Sequence, residues 1–231
     1  MEDKHPKQAE RIQTSIINKV ERKALVWLAK RQPRWVTSDL LTAVGVLGAF
    51  FTGLGFFLTR YDISWLWLSS VGLVINWYGD SLDGTLARVR NTQRPIYGYY
   101  LDHTVDCINE AFMFVGAGMS PLVNFNMALT AFILYLFMTI NVSINAHLKS
   151  EFRLTYAKLG PTEFRLLIVL ANTLILIFPA LATHTFHIFG RRVLLFDMVS
   201  FFVVVVLGLI YVVTIVSNIR RYARIDPPKK R

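Results

Sequence analysis

Asp80-Ser81-Leu82-Asp83-Gly84-Thr85-Leu86-Ala87-Arg88, followed after nine residues by Gly98-Tyr99-Tyr100-Leu101-Asp102-His103-Thr104-Val105-Asp106, is the stretch from which the rest of the chain can be read. It holds four of the chain's 15 acidic residues, and apolar segments of membrane-crossing length stand on either side of it. An ionised carboxylate at membrane depth is costly, so such groups face a polar interior where something compensates them. Asp80 and Asp83 are three residues apart, and Asp102 and Asp106 four. On helices each pair then lies on one face, one turn above the other. Two carboxylate pairs facing each other across a polar cleft require cations. Hard divalent ions such as magnesium, which take oxygen ligands and bridge substrate phosphates, are the natural partners. Gly84 lets backbone come close to a ligand, and Arg88 offers a fork of donors suited to phosphate. Together these residues point to a phosphate-transfer site.

The composition agrees with a membrane setting. At 231 residues, 54% hydrophobic and 17% charged, the chain is too apolar for an ordinary soluble domain. The net charge of +10 does not point to nucleic acid, because the basic residues sit in the gaps between apolar runs, as membrane topology requires. The single cysteine, Cys107, excludes an intramolecular disulfide and a cysteine-based zinc site, and reads as a small apolar residue beside the acidic face.

Six apolar runs, at about 36–58, 63–78, 99–119, 125–147, 166–183 and 193–217, predict an all-α integral membrane protein with six transmembrane helices. Gly45, Gly48, Gly53 and Gly55 in the first run permit close helix contacts within the chain. Residues 8–31 read as an amphipathic helix with Ala9, Ile12, Ile16, Val20, Ala24 and Leu28 as its apolar stripe, expected in the membrane interface. The alternative is that this stripe packs on the protein itself. The predicted organisation is an N-terminal segment (1–35), a six-helix transmembrane domain (36–218) and a basic tail (219–231). With six spans, 22 of the 25 lysines and arginines fall on the side that holds both termini, which marks that side as cytoplasmic and puts the aspartates near it. The stretch 184–192 reads as a short turn on the opposite side, so His184 and His187 receive no ligand role.

The acidic stretch resembles the signature of the class I CDP-alcohol phosphotransferase (CDP-alcohol phosphatidyltransferase) family, Asp-x2-Asp-Gly-x2-Ala-Arg-x8-Gly-x3-Asp-x3-Asp. Eight fixed positions match: Asp80, Asp83, Gly84, Ala87, Arg88, Gly98, Asp102 and Asp106. One departure is visible, since nine residues rather than eight separate Arg88 from Gly98. The resemblance implies an enzyme of phospholipid biosynthesis in which an acceptor hydroxyl attacks the phosphate joining a CDP group to an alcohol, releasing CMP. It further implies two Mg2+ (or Mn2+) ions held by Asp80, Asp83, Asp102 and Asp106, and CDP binding by Asp80, Gly84, Ala87, Arg88 and Gly98. Asp106 would be the base that takes the acceptor's proton. By the same resemblance the protein would be a homodimer in a bacterial cytoplasmic membrane, working on a CDP-alcohol donor and an alcohol acceptor among membrane lipids.

His103, next to Asp102, and the segment Gly160-Pro161-Thr162-Glu163 resemble the choline/ethanolamine phosphotransferase branch, where such a histidine would be a second candidate base. Lys149, Arg153 and Arg165 could bind an acceptor phosphate or serve as topogenic charges. Glu110 and Asn76 extend the two acidic faces by one turn and would support the ligands. From another class stands a small transporter or cation-binding protein whose carboxylates line an ion path. Such a protein would place its charges at the bilayer midplane rather than at one face beside an arginine and glycines.

Overall fold

Helices make up most of the computed structural model, which describes residues 10–12, 18–149, 151–153, 161–188 and 190–228. In chain order they are α1 (Asn18–Arg31), α2 (Ser38–Leu58), α3 (Leu66–Val89), α4 (Pro95–Gly118), α5 (Phe125–Lys149), α6 (Pro161–Ile177), α7 (Ala180–Thr183) and α8 (Leu195–Ile225). Short strands add a parallel pair, β1 (Glu10–Ile12) with β2 (Glu151–Arg153), and a hairpin, β3 (Thr185–Ile188) with β4 (Arg191–Leu194).

The hub is α2. Thr37 caps it by accepting from the Leu40 amide at 3.2 Å. Its glycines then let two neighbours come to backbone contact. A Cβ at Gly48 would run into the backbone of Gly72 and Asn76 on α3, and a Cβ at Gly53 into the Phe112 carbonyl on α4. Only residues without side chains permit crossings this close. Gly45 and Gly79 meet in the same way, which presses the acidic part of α3 against α2. Asn91, at φ 56°, closes α3 in a left-handed cap, with the Thr92 amide donating to the Ala87 carbonyl at 3.0 Å. Pro95 then opens α4 at the first helical position, where its missing N–H is no loss.

On α1 the apolar face differs from expectation. Leu25 and Ala29 are buried against Leu82 and Leu86 of α3, whereas Ala24 is exposed. Ala24, Leu25, Leu28 and Ala29 are all apolar, so two adjacent stripes are available, and contact with α3 selects one. The stripe thus packs on the protein. The helix also begins only at Asn18, since Glu10–Ile12 form β1, whose backbone pairs across the chain with β2. The remainder of the expected 8–31 helix, at 8–9 and 13–17, lies outside the described residues.

Further along, α5 packs on α4 and α8, and α6 packs on α3. Arg165 of α6 meets Asp80 of α3, and Asn172 meets Ser70, so rising numbers on one helix face falling numbers on the other. The two are antiparallel. Pro161 starts α6 five residues earlier than expected, which moves Arg165 from a loop into a helix. Pro179 interrupts the predicted fifth span, leaving four-residue α7 beyond it. The expected turn at 184–192 is instead the β3–β4 hairpin, with Gly190 at φ 76° in the connection between its strands, a conformation that glycine adopts without strain. The last helix continues to Ile225, so Arg220, Arg221 and Arg224 of the expected tail are helical; residues 229–231 lie outside the described residues.

Among the described residues, three helices are long and apolar enough to cross a membrane: α2, α5 over Phe125–Asn145, and α8. Another two, α3 and α4, have 24 residues each but carry the acidic stretch, and α6 has 17. On α8 no residue is buried, and Phe201, Leu209 and Val213 point outward, as on a lipid-facing surface.

Candidate active site

The i, i+3 and i, i+4 spacings do what the sequence requires of them: α3 presents Asp80 and Asp83, and α4 presents Asp102 and Asp106, toward one another. One carboxylate oxygen from each of Asp80, Asp102 and Asp106 lies within 4.8 Å of the other two. Asp83 stands beside this group but is held by neighbours. Its Oδ2 accepts from Thr42 Oγ1 at 2.6 Å, its Oδ1 accepts from the Gly84 amide, and its backbone carbonyl accepts from Ser38 Oγ at 2.9 Å. All four aspartates, with Thr42 and Asn109, line one small cavity.

Arg165 donates to Asp80 Oδ2 at 2.7 Å in an ion pair of two largely buried side chains. One guanidinium cannot neutralise four carboxylates, so the cluster keeps a negative excess that cations would balance. The donor set fits divalent metal: all oxygen, three carboxylates converging, a fourth alongside. Asn109 strengthens the fit. Its Oδ1 is buried without a hydrogen-bond partner, on a residue only 5% exposed that lines the same cavity. Asn76 Oδ1 and Glu110 Oε2, also buried, have no hydrogen-bond partner either. The turn of helix on each side of the aspartates therefore supplies acceptors awaiting donors or ions.

Arg88 donates to Thr85 Oγ1 at 3.0 Å and lies over Gly84, where an added Cβ would meet its guanidinium at 3.5 Å. Ala87 and Gly98 line a second, larger cavity, and Gly98 is exposed with open space around it. His103 stacks on Tyr99 with ring centroids 4.1 Å apart, and its Nδ1 is 3.0 Å from the Tyr99 carbonyl and 3.8 Å from Asp102 Oδ2. It is not part of the three-carboxylate group. Lys149 ends α5 and Arg153 lies in β2, but their side chains are outside the described residues, as is Gly160.

The same aspartates line a far larger cavity of about 2790 Å³ between α2, α3, α4, α5, α6 and α8. Its lining is polar near Ser38, Arg88 and Arg94, and apolar farther in, with Phe56, Met113, Leu122, Val203 and Leu207. Such a space takes a ligand with a charged end and a long apolar body. At the polar mouth Arg94 pairs with Asp39 and lies over the Tyr97 ring at 4.0 Å. The bond to Asp39 raises the Arg94 pKa above its already high ordinary value.

Sequence reasoning missed Thr42, Ser38 and Asn109, and it did not pair Arg165 with Asp80. Ser38 and Thr42 are one turn apart on α2, so they share a face, but nothing local says which helix that face meets.

A family model described as CDP-alcohol phosphatidyltransferase matches residues 35–216, which include every described site residue. The chain is also 34% identical over 86 residues to the phosphatidylinositol phosphate synthase of Cutibacterium acnes (strain DSM 16379 / KPA171202). That match covers 36% of this chain and 38% of the relative's length. The comparisons do not support the leaning toward the choline/ethanolamine branch, which rested on a histidine and four residues around Pro161.

Proposed function

We propose a reaction from one premise: the chain belongs to the CDP-alcohol phosphatidyltransferase family, a family of transferases of substituted phosphate groups. It transfers such a group from a CDP-alcohol to the hydroxyl of an acceptor alcohol in phospholipid biosynthesis. The new ester bond forms between the acceptor oxygen and the phosphorus, the bond to the CMP oxygen breaks, and CMP leaves. The observation that carries this reading is the convergence of Asp80, Asp102 and Asp106 from two helices to within 4.8 Å.

Asp80, Asp83, Asp102 and Asp106 would hold two divalent ions, magnesium or manganese, with Thr42 orienting Asp83. Bound there, such ions would neutralise the pyrophosphate and stabilise the leaving oxygen. Phosphoryl transfer depends mostly on positioning and charge, so the chain's own groups have few tasks. Arg88 binds phosphate, and Gly84, Ala87 and Gly98 leave room for the CDP group. Asp106 accepts the acceptor's proton. His103, turned toward Tyr99, orients the Asp102 turn.

The partial likeness to a phosphatidylinositol phosphate synthase favours a CDP-activated lipid as donor and a phosphorylated inositol as acceptor. The apolar depth of the large cavity suits the lipid, and Arg165 suits an anionic acceptor. In this reading α3, α4 and α6 join α2, α5 and α8 as six spans, both termini are cytoplasmic, and the protein works as a homodimer in a bacterial cytoplasmic membrane. Lys149 and Arg153 would lie on the acceptor side.

The test offers purified protein several CDP-alcohol and acceptor pairs with magnesium or manganese, following CMP release and identifying products by mass spectrometry. Metal-dependent transfer is expected, and Asp106→Asn should lower turnover by about 10²–10⁴-fold in protein that still folds. No CMP release from any pair would overturn the reading.

A further inference from the structure

We infer that Glu21, on the N-terminal helix, is a positioning residue that sets where Arg165 stands at the site. The inference rests on the acceptor role proposed above for Arg165. Glu21 lies in the first turn of α1 and its Oε1 accepts two hydrogen bonds, from Trp77 Nε1 at 2.7 Å and from Thr162 Oγ1 at 2.7 Å. The donors belong to different helices. Trp77 is three residues before Asp80 on α3, and Thr162 three before Arg165 on α6. Because α3 and α6 are antiparallel, the Trp77–Glu21–Thr162 link and the Asp80–Arg165 pair form two crossed braces between the start of α6 and the middle of α3.

The second brace is at the site itself, since Asp80 is one of the converging carboxylates. A ligand or ion that takes Asp80 removes Arg165's partner and with it one of the two ties at this end. Glu21 then holds the start of α6 through Thr162. It can do so because α1 does not float: Leu25 and Ala29 are buried against Leu82 and Leu86 of α3. Arg90, just past α3, also donates to the carbonyls of Gln32, Pro33 and Val36 in the segment that follows α1. A carboxylate receiving two hydrogen bonds from neutral donors is a strong tie, since charge-assisted bonds are about twice as strong as neutral ones. Displacing α6 by a fraction of an ångström would shift Arg165 relative to an acceptor while leaving the aspartates and the donor site untouched, because α3 and α4 are fixed by α2.

The test uses the full chain in lipid nanodiscs. Glu21→Ala and Thr162→Val should each raise the acceptor KM about tenfold while kcat and the donor KM stay within about twofold. Glu21→Gln should stay nearer the parent than Glu21→Ala does, because the amide oxygen still accepts from both donors though without the charge, and the Glu21→Ala, Thr162→Val double variant should be no worse than either alone. A merely structural role would remove folded protein and lower kcat at unchanged KM, and that result would overturn the proposal. A second readout needs no turnover. In a Cys107→Ala background, spin labels on Trp27→Cys and Leu167→Cys, both positions 54% exposed, report the distance between α1 and α6. Its distribution should be narrow with Glu21 or Glu21→Gln and broaden with Glu21→Ala. An unchanged distribution would overturn the brace whatever the kinetics. If the parent transfers nothing from any CDP-alcohol, the reaction falls, and the distance measurement alone decides whether Glu21 braces α6.

Discussion

The two sides of the large cavity are built on opposite principles. On one side α2 meets α3 and α4 at glycines, where backbone touches backbone, and Leu41, Ala49, Leu66, Leu73, Leu82 and Leu86 are buried. On the other, α8 has no buried residue and is tied to α5 by polar side chains: Asn218 donates to Asn141, and Tyr222 to Asn145. The aspartates stand on the tightly packed side. Catalytic carboxylates must hold their spacing to within a fraction of an ångström, and only close packing enforces that. A wall that receives the apolar body of a ligand has no such requirement, and loose packing leaves it able to adapt.

That contrast can be broken by experiment. The largest effect is expected for Gly48→Ala, whose Cβ would collide with the backbone of Asn76 and Gly72. It should cost about 3 kcal/mol, read as a fall in thermal midpoint, and activity should drop with it. Its counterpart Gly208→Ala on α8 would meet only Leu134 Cδ1 at 3.9 Å. That change should be neutral or stabilising by up to about 1 kcal/mol, because alanine favours helix. Equal losses from the two would erase the distinction. Next comes Thr42→Val, which removes the donor to Asp83 Oδ2 without changing shape. Divalent-ion affinity, followed by calorimetry or manganese resonance, should weaken about tenfold, as expected when a ligand loses its orienting partner. Unchanged affinity would place Asp83 outside the ion site. The smallest effect is expected for Asn218→Leu on the α5–α8 side, about 0.6 kcal/mol in stability with little change in turnover. A loss as large as that of Gly48→Ala would mean that α8 is as firmly held as α3.

Much of this could be read in the chain because it is local. Aspartates three and four apart and a glycine-rich α2 act over one turn, and the structure places them as the spacing demands, whereas α4 opens at Pro95, four residues before the expected run. What depends on partners distant in sequence could not be read. Thr42 reaches Asp83 across 41 residues, and Glu21 reaches Thr162 across 141. The face of α1 failed for a related reason: its apolar residues allow two stripes, and only the docking of Leu25 and Ala29 on α3 chooses between them. The β3–β4 hairpin stands where the sequence predicts a turn, because so short a strand pair has too few residues to display a two-residue period.

The link between α3 and α4 carries one residue more than the family pattern, yet the carboxylates still converge. Asn91 turns the chain in a left-handed cap, and Asp102 follows Pro95 by two helical turns. Because α2 grips both helices independently, the hairpin tip is free to lengthen without moving the chemistry beneath it. A one-residue difference in connector length is therefore tolerated at little cost, while Arg94, paired with Asp39 at the cavity mouth, ties the tip to the site.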